Sequence, residues 1–257
     1  MKKSAMLDHK LAPQSSTGPK NLRFIFLAIA FTMLESACQT VSVEVYTPTP
    51  EVPSERIGHG RRADLNGDEL WLYLDLPEEW IVAASGTGNL EGQLTELAAV
   101  NADLYRFLLG QCDLDASATC LLVAYDGKTS TSSAGPRTLS VVGGENPTSL
   151  SRSEYLQKTS DGITHVPGLL SDVEGAQIET EAGPIQHFSF EINSAKLGIE
   201  DRAVQIHQYH LLSEELVLVF TFSFPVERNL SSLEFADAVM EGVIVLGSDG
   251  GSLEFLR

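Results

Sequence analysis

One segment constrains the fold more than any other. In Glu215–Phe224, Leu216, Leu218, Phe220, Phe222 and Phe224 alternate with Val217, Val219, Thr221 and Ser223. Residues two apart on a strand share a face. One set is wholly apolar, and the other is apolar or small and carries no charge. Such a strand is buried on both sides, so its sheet needs a covering layer on each face. The run Arg202–Leu212 precedes it across a tight Ser213-Glu214 turn, which predicts a hairpin.

The neighbouring segments supply the remaining layers. Glu69–Leu76 alternates Leu70, Leu72, Leu74 and Leu76 with Trp71, Tyr73 and Asp75, and Pro77 stops it. Further strands are predicted at Ile81–Ala84, Cys120–Tyr125, Arg137–Val142 and Gln186–Ile192, with a polar, peripheral one at Ala176–Glu181. Residues 91–109 read as one helix through Leu94, Leu97, Ala98, Leu104 and Leu108. Ser151–Lys158 reads as a short helix. Ser231-Ser232-Leu233-Glu234 forms a capping-box pattern opening a last helix, whose core face is Phe235, Ala236, Val239, Met240 and Val243. This order predicts an α+β fold, a mostly antiparallel sheet with helices packed on it, in a single domain over 64–246. Residues 247–257, opening with Gly247–Gly251, read as a C-terminal tail.

Charge separates this domain from what precedes it. The chain of 257 residues has 17 Lys and Arg against 35 Asp and Glu, a net charge of −18. Residues 1–38 hold five basic and two acidic side chains, a net +3, leaving −21 for the remainder. That acidity argues against nucleic acid as a partner, because phosphate binding needs cations. Within 1–38, Phe24–Leu34 is an apolar run of 11 residues. It is short of the ~20 needed to span a bilayer and of the size of a signal-peptide core. It ends in Glu35-Ser36-Ala37-Cys38, which resembles a bacterial lipobox, although Glu35 stands where Leu is preferred. The resemblance implies that Cys38 carries the lipid that attaches the chain to a membrane. An uncleaved N-terminal anchor and a buried element of a cytosolic protein are the alternatives. Residues 39–63 follow as a flexible Pro/Thr/Glu-rich tether, in which Pro48, Pro50 and Pro53 favour an extended chain.

If Cys38 is acylated, Cys112 and Cys120 remain as an even pair. In an oxidising compartment they can form a structural disulfide, with free buried thiols as the alternative.

Leu74-Asp75-Leu76-Pro77-Glu78-Glu79-Trp80 resembles the "dlPegW" signature that opens PsbP/DcrB-type domains, with Glu79 in place of Gly. The long apolar hairpin followed by a Phe-containing helix is similar as well. The resemblance implies an α/β/α sandwich with a central antiparallel sheet and helices on both faces. It also implies an anchored extracytoplasmic lipoprotein that is not an enzyme. No catalytic residues carry over from it.

The motifs that carry chemistry point the same way. Asp64-Leu65-Asn66-Gly67-Asp68 resembles the start of a calcium loop, but position 6 is Glu69 and the strongest strand pattern follows, so a plain Asn-Gly turn is expected. His207 and His210 are three apart on a strand and point to opposite faces. His187 shares its polar strand face with Ser189 and Glu191, and it could meet His207 only across strands. There is no P-loop, H-E-x-x-H or G-x-S-x-G, and neither a cofactor nor a metal is expected. The function expected is a non-catalytic, membrane-anchored domain in the cell envelope, on its extracytoplasmic face, that binds an unknown protein partner or supports envelope function. A small-molecule or cation binder is the alternative, and a hydrolase with a spatial Ser-His pair is a third reading.

Overall fold

The computed structural model describes residues 60–65, 68–87, 90–112, 118–129, 136–146, 151–180, 183–193, 202–226, 232–248, 250–251 and 253. Residues 1–38, read as a signal segment, Cys38 among them, and nearly all of the stretch read as tether lie outside the described residues.

Strand β9 (Leu216–Pro225) pairs with β8 (Ala203–Leu212) as the apolar hairpin predicts, and the amide of Ser213 bonds the Leu216 carbonyl at 2.8 Å to close the turn. The two strands sit in a seven-stranded sheet with β3 (Trp80–Ala84), β4 (Ala118–Asp126), β5 (Thr138–Glu145), β6 (Glu174–Thr180) and β7 (Gly183–Asn193). Its order is β3-β4-β5-β9-β8-β7-β6, and every pairing described in it is antiparallel. In β9 every residue from Leu218 to Pro225 is buried, as a strand covered on both sides requires. Strand β6 is the polar edge expected, largely exposed and carrying Glu174 and Glu179, which protects an open edge against pairing with other chains.

One face of the sheet carries two pieces. Helix α5 (Ser232–Glu241) buries Ala236, Val239 and Met240 there, in one core with Phe220, Phe222 and Leu139. A three-stranded sheet covers the rest. It consists of β1 (Gly60–Leu65), β2 (Asp68–Tyr73) and β10 (Ile244–Leu246), in the order β1-β2-β10. Its Ala63, Leu70, Leu72 and Val245 join the same core. The two sheets approach closely at Gly143, where a Cβ would come within 2.8 Å of Leu121 and 3.1 Å of Leu65.

The other face carries helices. Helices α1 (Leu90–Gln93), α2 (Thr95–Val100) and α3 (Ala102–Cys112) bring Leu94, Leu97, Leu104 and Leu108 against Ala83, Val123 and Tyr125. Helix α4 (Arg152–Thr164) and the turn after it place Ile163 and Val166 on Phe188, Phe190, Ile192 and Ile206. The fold is therefore α+β with helices on both faces of a central antiparallel sheet, as the PsbP/DcrB resemblance implies.

Four expectations change in detail. The helix expected over 91–109 is three short helices. Asn101 leaves the helical conformation, and its carboxamide accepts a 3.0 Å bond from the Leu104 amide, starting α3. The helix expected to end at Lys158 runs on to Thr164, because a complete Ser151–Glu154 capping box fixes its start and Tyr155, Thr159 and Ile163 keep its buried stripe going. Strand β1 begins at Gly60, inside the stretch read as tether. Strand β10 follows α5 directly, and part of the stretch read as tail packs on the domain, with the Leu253 amide on the Val245 carbonyl at 3.2 Å and Leu253 against the core. Strands β1 and β2 pair with Asp64 opposite Glu69 and Leu65 opposite Asp68, which places the carboxylates of the expected ion loop on paired strands; residues 66 and 67 lie outside the described residues.

Phe222 is fully buried, with its ring centroid 5.7 Å from Tyr209 and 6.4 Å from Phe235. Phe222→Ala is expected to cost about 3–5 kcal/mol, a large part of the ~5–15 kcal/mol of a typical domain. Urea unfolding should show a lower midpoint at an unchanged slope.

Candidate functional site

Chemistry-bearing side chains gather on β5, β9, β8 and β7, one group on each face. Antiparallel register explains the first. His187 lies opposite Tyr209, and Ser189 lies opposite His207. His187 and His207 are therefore diagonal neighbours on one face, close enough for long side chains to meet. Their rings stack with centroids 5.3 Å apart, and His187 Nε2 lies 3.1 Å from His207 Nδ1. The other nitrogen of His207 lies 3.3 Å from the hydroxyl of Ser232, the first residue of α5. Beside this chain the Tyr209 hydroxyl donates to Asp237 of α5 at 2.7 Å, and the Tyr209 ring stacks on His187 at 4.5 Å.

His187, His207, Tyr209 and Ser232 are buried, and Asp237 is half-buried. Burial lowers the His187 pKa, against the opposing pull of Asp237 and Glu174. Burial, with His187 adding to it, brings His207 down to about 4. Tyr209 is pushed up by burial and by its bond to Asp237. At neutral pH both imidazoles are uncharged, and a neutral imidazole has one N–H and one lone pair. The His–His and His–Ser bonds then form one directional chain tying β7 and β8 to the start of α5. A Ser beside a His is also the minimal pair of a nucleophilic catalyst. Here Ser232 is only 2% exposed, at the start of α5.

The opposite face holds the second group, as the three-residue spacing of His207 and His210 predicts. His210 Nδ1 bonds the Tyr155 hydroxyl of α4 at 2.7 Å, and Gln208 Nε2 donates to Thr221 at 3.3 Å. Burial brings the His210 pKa down to about 3 and pushes the Tyr155 hydroxyl up. Thr138 lies opposite Ser223, and Thr221 lies opposite both Ser140 and Gln208, so a polar seam crosses β5, β9 and β8. Four buried atoms in it have no hydrogen-bond partner: Thr138 Oγ1, Ser223 Oγ, Gln208 Oε1 and His210 Nε2.

The other residues singled out by sequence fall as follows. Cys120 lies on β4, packs with Phe107 and Leu108, and is disulfide-bonded. Cys112 closes α3, and its side chain lies outside the described residues. The signature segment forms the turn into β3, where the Trp80 amide bonds the Pro77 carbonyl at 2.9 Å and Trp80 stacks on Phe235 at 5.4 Å. Glu79, the departure from that signature, pairs with Lys128 at 3.1 Å. Among the described residues no group of three or more His, Cys, Asp or Glu could hold a metal ion, and no helix is long and apolar enough to cross a membrane. Sequence reading missed Ser232, Tyr155 and Asp237 as partners. The only available signal was that His187 and His207 both fall on apolar strands, where a histidine needs a bonded neighbour.

Among solved structures, the chain is similar to LpqN, involved in cell envelope biogenesis of Mycobacterium tuberculosis. Identity is 9%, coverage is 73% of this chain and 91% of that one, and the TM-score is 0.47. It is also similar to cyanobacterial PsbP (CyanoP) from Synechocystis sp. PCC 6803, at 12% identity over 76% of this chain and 98% of that one, with a TM-score of 0.38. No protein-family model and no curated protein matches the sequence.

Two substitutions in the seam should move stability in opposite directions. Tyr155→Phe leaves both nitrogens of buried His210 unpartnered and should cost about 1–3 kcal/mol. Thr138→Val removes a buried hydroxyl that has no partner and should raise stability by up to about 1 kcal/mol. Denaturant midpoints of the two variants check both signs.

Proposed function

We propose that this chain is a membrane-anchored extracytoplasmic domain of the cell envelope that binds a protein partner or supports envelope function without catalysing a reaction. The observation that carries the reading is the sequence ahead of the fold. A basic segment with an 11-residue apolar run ends at Cys38, and a Pro-rich stretch then leads into a compact acidic domain. A lipid on Cys38 would hold the domain to the membrane, and a polyproline-type tether rising about 3.1 Å per residue would set it tens of ångströms away. The interior chemistry supports a non-catalytic role. His187 bonds His207, His207 bonds Ser232, Tyr155 bonds His210 and Tyr209 bonds Asp237, across strands and helices, which is what structural polar residues do. We further propose that Cys112 is the disulfide partner of Cys120, a link suited to an oxidising compartment.

One observation favours a second reading, a small-molecule binder. The seam on this face presents four unpartnered polar atoms on three strands, and a polar ligand admitted between the sheet and its helices would satisfy them.

Intact mass of membrane-extracted protein tests the anchor. A chain starting at Cys38 with added diacylglycerol and fatty acid is expected, whereas a mass that retains Met1 sinks the proposal. Cys38→Ser should move the protein from the membrane fraction to the soluble one. Reducing a disulfide that closes so short a loop should cost roughly 2–3 kcal/mol, read as a urea midpoint lower with reductant than without it, a difference that Cys120→Ala should abolish.

A further inference from the structure

We propose that the His187–His207–Ser232 chain is an acid-sensitive latch, which holds the first turn of α5 on the sheet while at least one imidazole is neutral and releases it when both are protonated. Proton counting gives the reason. At the junction, His187 Nε2 and His207 Nδ1 are 3.1 Å apart and share a single hydrogen. If His187 donates, the Nδ1 of His207 accepts and its Nε2–H donates to Ser232 at 3.3 Å. The first additional proton can reside on the outer nitrogen of His187 without disturbing either bond. A second has only His207 Nδ1 to occupy. That sets two N–H groups head to head and two positive rings 5.3 Å apart in a buried site.

The surroundings place the first proton. Asp237 of α5 and Glu174 of β6 both act on His187 and favour its charge. Glu191 lies on the same face of β7, beyond Ser189, and Tyr209 of β8 is held neutral by burial and by Asp237. His210 sits on the opposite face of β8 beside Tyr155. Strand β9 presents Phe222 and Phe224 to the pair, and Arg137 lies 5.9 Å from the Phe235 ring centroid. Among the described residues no Lys or Arg side chain bonds either imidazole.

The sign follows from linkage. An imidazole released to water titrates near pH 6.5, and in the latch His207 titrates near 4. The released state therefore binds more protons between these values, and the latch weakens as pH falls through that window. Ser232 leads into Phe235, which stacks on Trp80 at 5.4 Å, so release of the first turn changes the Trp80 environment.

The test uses the full chain in detergent with Trp71→Phe, leaving Trp80 as the only tryptophan of the two. Its fluorescence is followed from about pH 7.5 to about pH 4 beside far-UV circular dichroism. A reversible transition with strand content retained is expected. It should be lost in His207→Gln and unchanged in His165→Gln, whose exposed ring bonds only its own helix end. Imidazole nitrogen shifts in the unsubstituted chain provide a measurement that needs no variant, and His187 and His207 should charge in two linked steps, His187 first. The proposal is overturned if His207→Gln keeps the transition, if both rings stay neutral down to about pH 4, or if strand signal is lost together with the fluorescence change.

Discussion

The architecture depends on the burial of β9 and β8 from both sides. A strand that carries Phe220, Phe222 and Phe224 on one face and Val219, Thr221 and Ser223 on the other cannot face water on either. Two layers are therefore obligatory, and the chain builds them from different material. One layer is helical throughout. The other combines α5 with a small sheet assembled from the first and last strands, so both ends of the domain meet over the same core. This closure accounts for β1 starting at Gly60 and for the fold-back after β10.

The same double burial creates the polar chemistry. Histidine, glutamine, serine and threonine on the central strands have no route to solvent, so each must find a partner inside. On the α5 face the partners are found, and the imidazoles, Ser232, Tyr209 and Asp237 form a chain that fixes the helix start. On the α4 face the match is incomplete, and four buried atoms stay unpaired. The first face is thus sensitive to protons, and the second is a place where the fold carries unmet hydrogen-bonding capacity.

How far the sequence could be read depended on the range of each determinant. The β8–β9 hairpin, the alternation in β2, the polar edge β6 and the buried face of α5 depend on neighbours a few residues apart, and they were legible as patterns. Two short-range signals were overlooked: the Ser151–Glu154 capping box and the helix-breaking Asn101. Strand β10 is a different case. Ile244-Val245-Leu246 is three apolar residues directly after a helix, and no periodicity separates it from one more helical turn.

Sequence alone determined that some strands are covered on both faces, that His207 and His210 point apart, and that a basic apolar segment and a Pro-rich stretch precede an acidic domain. These are properties of residue type and of spacing along one strand. Tertiary structure alone decided that His187 meets His207 and that His207 meets Ser232. Those contacts join residues 20 and 25 positions apart through the register of β7 on β8 and the docking angle of α5. Register is set by summed ladder bonds and core packing, and a one-residue slip would have put every partner on the opposite face.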